Sequence, residues 1–336
     1  MSSYDLIIVG LGPAGAYLGY CAQARGLKVL GVDRNEQWEA TYGGWVDELP
    51  DVPLHWRGKP TVRFGGLGRV IEREYAIVDS ATWRKQLLTF PVRYGTAEIP
   101  SANRVLIDGT EVFADVVVDA RGAAIQPNSP VQQALGWFID SAPNAWMDFA
   151  GQTFLYSFAT PRGHLVEETF LATSSVQDWS VLEEQLKRRF PQATPTAVEH
   201  VLIPLDSHET AGPALAFGAR AGFVNPITGY SLATSLAMAE STLNALWGGG
   251  ALPWRSREFR ADRALLRLLS KTLTGLPPQQ LHSLLRSLLT LPVYIQRRFL
   301  RMGDIRGTLM GMALVFARVD IGTKAGILRA LWQRTG

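Results

Sequence analysis

The first apolar residues form a short unbroken block, Leu6 to Val9, between Tyr4-Asp5 and the small-residue run Gly10-Leu-Gly-Pro-Ala-Gly15. A continuous block of this length predicts a strand buried on both faces, as in a parallel sheet. Small residues continue to Arg25 and predict a helix, and Leu27-Lys-Val-Leu-Gly-Val-Asp33 predicts a second strand ending in an acid. Gly10, Gly12 and Gly15 fit the dinucleotide fingerprint. In that pattern the first glycine makes a tight turn, the second lets backbone approach a pyrophosphate, and the third lets helix and strand pack closely. Pro13 and Ala14 open the helix, whose N-terminal amides face the phosphates. Asp33 stands 18 residues beyond Gly15, where a carboxylate accepts ribose hydroxyls, and Arg34 follows it. The fingerprint itself admits FAD or NAD; its place almost at residue 1 favours FAD.

Downstream the pattern shortens into strands and turns. Arg34 to Asp51 is a loop containing Tyr42-Gly-Gly-Trp-Val-Asp-Glu48. Gly44 and Trp45 beside Asp47 and Glu48 suit either a loop that approaches a ligand or a structural turn around a packed tryptophan. Thr61 to Val78 alternates in a strand-like way around Gly65-Gly-Leu-Gly68, and Asp79-Ser80 predicts the N-cap of a helix. Arg104 to Ala114 predicts a hairpin turning at Asp108-Gly109. It leads into Asp115-Val-Val-Val-Asp119, a parallel strand returning to the nucleotide sheet, with Asp119 to Gly122 at its ligand-binding carboxyl end.

Gln152 to Phe158 and His164 to Ala172 predict neighbouring strands joined at Pro161-Arg-Gly163. The second carries Glu167 and Glu168 side by side in apolar surroundings. Adjacent strand residues point to opposite faces, so both cannot face solvent if the sheet is covered. A buried glutamate has a raised pKa and serves as a general acid near neutral pH; the other reading is an edge strand with both acids hydrated. Val181 to Phe190 predicts a polar helix ended by Pro191, and Leu215 to Ala221 a small-residue strand. Pro226-Ile-Thr228-Gly229-Tyr230 then turns into a helix from about Ser231 to Leu246. Its amides form either a second anion or flavin-edge site or an ordinary loop.

Charge changes the picture of the tail. From Arg255 onward there are 15 Lys/Arg against 4 Asp/Glu, and before it 18 against 26, so a net +3 conceals +11 on the tail and −8 on the body. Such a tail predicts an anionic partner, membrane or nucleic acid. Arg260, Arg263, Arg267 and Lys271 recur every three or four residues as one basic stripe. Leu281, Leu284, Leu285, Leu288 and Leu289 form an amphipathic face, and Thr308 to Ala317 is too short to span a bilayer. Core-facing helices and a monotopic membrane contact both explain this, whereas no recognised nucleic-acid module is present. The length of 336 residues, with 47% hydrophobic and 19% charged, describes two globular domains or one with an insertion. A single cysteine, Cys21, excludes internal disulfides and cysteine-rich zinc sites, and the histidines show no metal-ligand spacing. No basic and apolar leader precedes the first strand, and together with the basic helical tail this sets the expectation of a cytoplasmic protein peripherally associated with a membrane surface.

Taken together these motifs resemble the FAD-dependent lycopene cyclases of carotenoid biosynthesis. Tyr42-Gly-Gly-Trp-Val-Asp-Glu48 is similar to the family's Tyr-Gly-x-Trp-x-Asp-Glu segment, and Asp119-Ala-Arg-Gly122 also matches. Leu165-Val-Glu-Glu-Thr169 resembles the Phe-Leu-Glu-Glu-Thr motif that carries the essential glutamate, and Pro226 to Tyr230 the Pro-x-Thr-Gly-Tyr turn beside the flavin. Leu165-Val166 replaces Phe-Leu, and Asn225 replaces the histidine usual before the proline. Gly218-Ala-Arg-Ala-Gly222 lacks the acid and histidine of aromatic hydroxylases.

The resemblance implies an α/β fold: a Rossmann-type FAD-binding domain of the hydroxylase and geranylgeranyl-reductase kind, an inserted β-sheet substrate domain and a helical C-terminal region. The corresponding division is 1–50, 75–125 and 210–250 for FAD, 51–74 and 126–209 for substrate, and 251–336 for the basic helical tail. It further implies reduced FAD, with NAD(P)H as a candidate reductant, acting without net electron transfer on an apolar isoprenoid such as lycopene. Glu167 is the first choice for the acid and Glu168 the second, with Asp47 and Glu48 orienting it or taking the final proton. The same chemistry on a shorter isoprenoid, and a flavin-dependent hydroxylase or prenyl reductase, are the alternatives.

Overall fold

The computed structural model describes residues 4–206 and 208–335. The chain opens as expected, with β1 (Tyr4–Val9), α1 (Pro13–Ala24) and β2 (Val29–Asp33). Short segments β3 (Gly43–Trp45), β4 (Leu54–Gly58), β5 (Thr61–Phe64), β6 (Leu67–Val70) and β7 (Tyr75–Val78) precede α2 (Ser80–Leu87). Asp79 caps α2 by accepting the Thr82 amide at 3.1 Å, satisfying a helix-end donor. Then come β8 (Val92–Tyr94), β9 (Ala97–Ser101), β10 (Arg104–Ile107) and β11 (Thr110–Asp119). The β10–β11 hairpin turns at Asp108 and Gly109, both at positive φ, the geometry that makes Asp-Gly a hairpin turn. These strands build a sheet ordered β8-β2-β1-β11-β10-β9, in which β1 runs parallel to both β2 and β11. Leu6, Ile7 and Ile8 are fully buried at its centre.

The second sheet lies in the middle of the chain. It comprises β12 (Val131–Ile139), β13 (Ala145–Ala150), β14 (Thr153–Thr160) and β15 (Gly163–Thr173), then, after α3 (Trp179–Arg189), β16 (Ala197–Pro204). Its order is β16-β12-β15-β14-β13-β5-β6, so β15 is an interior strand and the edge-strand reading of the two glutamates is excluded. Strand alternation sends Val166, Glu168 and Phe170 to the face covered by α3, where Leu182 and Leu186 are fully buried. Leu165, Glu167, Thr169 and Leu171 face the other way, into a cavity.

A small sheet ordered β3-β7-β4, a two-residue strand and a helical tail complete the fold. Leu215 to Ala221 is not one strand: β17 is only Leu215–Ala216, pairing with β11, and Gly218–Ala221 is a 3-10 turn. Gly218 at φ +64 breaks the extended run there. The helices α4 (Leu232–Gly248), α5 (Arg257–Leu273), α6 (Pro278–Leu289), α7 (Val293–Leu300), α8 (Ile305–Arg318) and α9 (Ile321–Thr335) follow. Their apolar faces join the core of the body, where Leu266, Leu285, Phe299 and Val315 belong to the same buried cluster as Leu6 and Phe217. The basic stripe of α5 also turns inward: Arg267 and Lys271 both bind Asp206, and Arg263 donates to the Ala221 carbonyl at 3.2 Å. With Arg255 on Glu209 and Arg297 on Asp47 at 2.9 Å, part of the tail's charge is matched by the acidic body of the same chain. Among the described residues no helix is long and apolar enough to cross a membrane.

The covered face of the second sheet makes a direct prediction. Glu168 is fully buried with Arg189 2.9 Å away and Thr153 bonded to it. Burial pushes its carboxyl up, and Arg189 partly offsets that. Removing one partner of a buried pair costs about 3 kcal/mol. Arg189→Met should therefore lower the urea midpoint near neutral pH, and the deficit should shrink in mild acid as Glu168 is protonated. An unchanged midpoint would contradict this account.

Candidate active site

Two adjoining cavities lie between the sheets. The first, about 540 Å³, follows the fingerprint and is bordered by Gly10, Gly12, Pro13, Ala14, Asp33 and Arg34. An added Cβ on Gly10 would stand 2.6 Å from the Ala120 backbone, and one on Gly15 would stand 2.0 Å from the Gly10 carbonyl. Those two glycines let strand, turn and helix meet. At Gly12 a Cβ would meet nothing within 4 Å, so that backbone is open to the cavity. Asp33 accepts the Leu11 amide at 2.5 Å and the Asn35 amide at 2.9 Å, which fixes its carboxylate at the end of the turn. Across the cavity lie Arg121 and Gly122, while Asp119 sits behind them and pairs with Arg121 at 2.8 Å and Arg220 at 2.6 Å. Burial pushes the Asp119 carboxyl up, but the arginines outweigh it and hold it below the usual carboxylate range.

The second cavity, about 480 Å³, is mainly apolar and aromatic. Tyr42, Ala219, Ser231 and Leu232 border both. Trp45, Tyr75, Trp146 and Tyr156 form much of its wall, and Leu285, Leu288 and Leu289 of α6 close it. The leucine face of α6 therefore serves the cavity. The Tyr75 hydroxyl bonds those of Tyr156 at 3.1 Å and Tyr230 at 3.0 Å. Gly43 makes room for this cluster, because a Cβ there would stand 2.4 Å from the Tyr75 hydroxyl and 2.7 Å from that of Tyr156. The first glycine of Tyr-Gly-Gly-Trp thus has a packing reason.

The structure separates the four acids that the sequence singles out. Glu167 points into the apolar cavity, where the Thr169 hydroxyl donates to it at 3.1 Å. It retains accessible surface because it faces the cavity, yet protein surrounds it on all sides. Burial, reinforced by the charge of Glu199, pushes its carboxyl from 4.5 up to about 8. Glu168 lies on the opposite face, bound to Arg189. Asp47 and Glu48 are not among the cavity-lining residues; buried Arg73 holds both, at 2.8 and 2.5 Å.

The turn expected beside the cofactor also differs in detail. Thr228, Gly229 and Tyr230 border the apolar cavity together with Trp45, whereas Gly44 and Pro226 line neither cavity. The turn's amides are used internally: those of Ile227 and Thr228 donate to the Asn225 side chain, that of Gly229 to the Asn225 carbonyl, and that of Tyr230 to Thr228. Asn225, the residue that departs from the family pattern, organises the turn. Sequence reasoning missed Glu199, Tyr75, Trp146 and Tyr156, because their convergence depends on pairing between distant strands.

The position of Glu167 has a consequence for stability. Its folded-state pKa is raised, so its favourable contribution is fully present below about 4.5 and is lost as pH rises through about 8. Glu167→Gln should remove that loss. Across this window the melting temperature of the parent should fall more than that of the variant, and parallel curves would contradict the assignment.

A family model described as lycopene cyclase protein matches residues 5–315. A Deinococcus radiodurans protein described as an uncharacterized carotenoid cyclase is 27% identical, over 98% of this chain and 94% of its own. The lycopene beta cyclase of Synechococcus elongatus is 26% identical, over 87% of this chain and 91% of its own. Against the chloroplastic lycopene beta cyclase of Arabidopsis thaliana identity is 25%, and the match covers 72% of this chain but only 60% of the plant protein. Among solved structures, a geranylgeranyl bacteriochlorophyll reductase-like protein from Thermoplasma acidophilum superposes with a TM-score of 0.66 at 15% identity, over 93% of this chain and 96% of that one. A flavoprotein/dehydrogenase from Cytophaga hutchinsonii gives 0.60 at 11%, over 94% and 99%. These likenesses establish the expected α/β flavoprotein fold, and the match along nearly the whole sequence establishes that the chain belongs to the lycopene cyclase family.

Proposed function

We propose that the protein catalyses the non-redox cyclization of the linear end of an isoprenoid polyene, with lycopene as the substrate of first choice. The observation that carries this reading is the Glu167 carboxyl, pushed up to about 8 by burial and Glu199, facing an apolar, aromatic-walled cavity beside the cleft along the glycine fingerprint. An alkene needs a strong proton donor and a dry site, and a carboxyl that stays protonated near neutral pH supplies the proton.

The first cavity fits FAD. The open backbone at Gly12, the carboxylate of Asp33 and the uncapped starts of α1 and α4 at Gly12 and Ser231 suit a phosphate and ribose chain. Gly10, Pro13, Ala14, Arg34 and Gly122 would hold it there, with Trp45, Thr228, Gly229 and Tyr230 on the substrate side. Reduced FAD supplies an electron-rich ring whose charge stabilises a nearby cation, and NAD(P)H is the proposed reductant.

The chain's own residues do the rest. Glu167 gives its proton to the terminal alkene, and the resulting cation is attacked by a neighbouring double bond to close a six-membered ring. Trp45, Tyr75, Trp146 and Tyr156 line the cavity with aromatic rings, whose faces attract a cation where water is excluded. Thr169 fixes the Glu167 carboxyl through its 3.1 Å hydrogen bond. We further propose that Tyr294, Ile321 and Leu328, exposed on the basic tail, meet the membrane that stores so apolar a substrate.

Anaerobic incubation of the reduced protein with lycopene tests the activity. A ring product of unchanged mass is expected, and Glu167→Gln should lower turnover by about 10³-fold or more while leaving flavin bound. Near-parental turnover of the variant would remove Glu167 from the mechanism. A product heavier by an oxygen atom, or by two hydrogens, would favour a hydroxylase or prenyl reductase. A mass-neutral product from a shorter polyene alone would move the substrate and keep the chemistry. For the tail, flotation with anionic liposomes should exceed that of an Ile321→Asp/Leu328→Asp double variant; equal flotation would contradict the contact.

A further inference from the structure

Protonation is only half of a cyclization, since the ring cation must lose a proton to something. The cavity face of the second sheet holds a row of directly opposed residues across four strands: Tyr156 on β14, Glu167 on β15, Gly136 on β12 and Glu199 on β16. Gly136 contributes no side chain and the Leu165 side chain leans over it, 2.7 Å from where a Cβ would stand, so the two glutamates flank a position that carries no polar group of its own. A Cβ built on Gly136 would lie 3.7 Å from the Cβ of Glu167 and 3.6 Å from that of Glu199. Both glutamates border the same apolar cavity.

Their surroundings differ in kind. Glu199 accepts the Thr41 amide at 2.9 Å and the Thr41 hydroxyl at 3.0 Å, and the guanidinium of Arg162 stands 3.7 Å away. Burial pushes the Glu199 carboxyl up, and the Thr41 donors and Arg162 partly offset that by favouring the carboxylate. Glu167 has one hydroxyl bond and the negative charge of its neighbour, which favour a carboxylic acid. Burial raises both carboxyls, but only Glu199 has an amide and a guanidinium opposing the rise, and a carboxyl pair in such unequal surroundings divides into an acid and a base. The groups facing the pair are Tyr156, Tyr75, Tyr230 and Thr169 around Glu167, and Tyr42, Thr41 and Arg162 around Glu199.

We propose that Glu199 is the base that takes the proton released on ring closure and returns it to Glu167. The inference rests on the cyclase reading. The balance closes without a co-reactant. The Glu167 O–H bond breaks and a C–H bond forms at the terminal alkene carbon. The next double bond supplies the electron pair for the ring C–C bond. A C–H bond beside the ring cation then breaks, its pair becomes the ring double bond, and the proton goes to the Glu199 carboxylate. Proton return through the shared cavity restores both groups, and Thr41 acts as a positioning residue for Glu199.

The test is the pH profile of kcat with lycopene and reduced flavin for the parent, Glu199→Gln and Thr41→Val. A parent needing Glu199 ionised and Glu167 protonated should show a bell. Glu199→Gln should retain flavin, lose about 10²-fold or more in kcat, abolish the acid limb and move the alkaline limb to lower pH. Thr41→Val should shift the acid limb to higher pH, because it removes a donor to the carboxylate. Parental rates and profile in Glu199→Gln would overturn the base assignment while leaving the cyclase reading intact.

An infrared titration of the protonated carboxyl band, assigned by its absence in Glu167→Gln, reads the pair without turnover. Its midpoint should fall from about 8 in the Glu199→Gln variant; an unmoved midpoint overturns the pairing. If the parent cyclizes no polyene at all, the base role falls with the cyclase reading, and a moved midpoint then still identifies a coupled pair.

Discussion

A carboxyl group enclosed by apolar and aromatic side chains must either find a cation or keep its proton. The second sheet does both on one strand, because adjacent residues of β15 point to opposite faces. Glu168 turns toward α3 and meets Arg189. Glu167 turns toward the cavity, where among the described residues its neighbours are phenols, a threonine and another carboxylate. Interior placement of β15 forces this division, and the chemistry of the site depends on it. On an edge strand both acids would be hydrated and ionised.

The remainder of the fold protects that condition. The parallel sheet and its glycine turn put the cleft along the fingerprint beside the apolar cavity, and Tyr42, Ala219, Ser231 and Leu232 border both spaces. The tail then closes the cavity with the leucines of α6. Its position is secured by burial of Leu266 and Phe299 in the common core and by ion pairs to Asp206, Glu209 and Asp47. The opposite charges of tail and body are thus complementary within one chain. Exposed ion pairs add little stability, so the apolar contacts hold the tail and the charges set its register. That arrangement leaves Asp47 bridged between Arg73 and Arg297, away from the reacting space.

Local order along the sequence was readable wherever one short segment contained its own cause. The fingerprint, the Asp79 cap, the Asp108-Gly109 hairpin and the glutamates of β15 are of this kind, and so is the family resemblance that the full-length match bears out. The extended run expected from Leu215 to Ala221 failed because Gly218 takes a positive φ that apolarity does not reveal. Within the basic stripe of α5, the pairing of Arg267 with Asp206 was not readable, because the two are 61 residues apart in sequence. Glu199 was invisible for the same reason. Its meeting with Glu167 needs β16 and β15 to lie on either side of β12 with Gly136 between them, a register no local pattern encodes.

The central claim is that the site moves a proton and no net electrons. It is tested most directly by anaerobic turnover of lycopene in deuterated water with the flavin spectrum followed throughout. With both carboxyls exchanging with solvent between turnovers, the account predicts one solvent-derived deuterium in each ring formed and a flavin that stays reduced over many turnovers. Flavin oxidised in step with product, or rings formed without solvent deuterium, would contradict it.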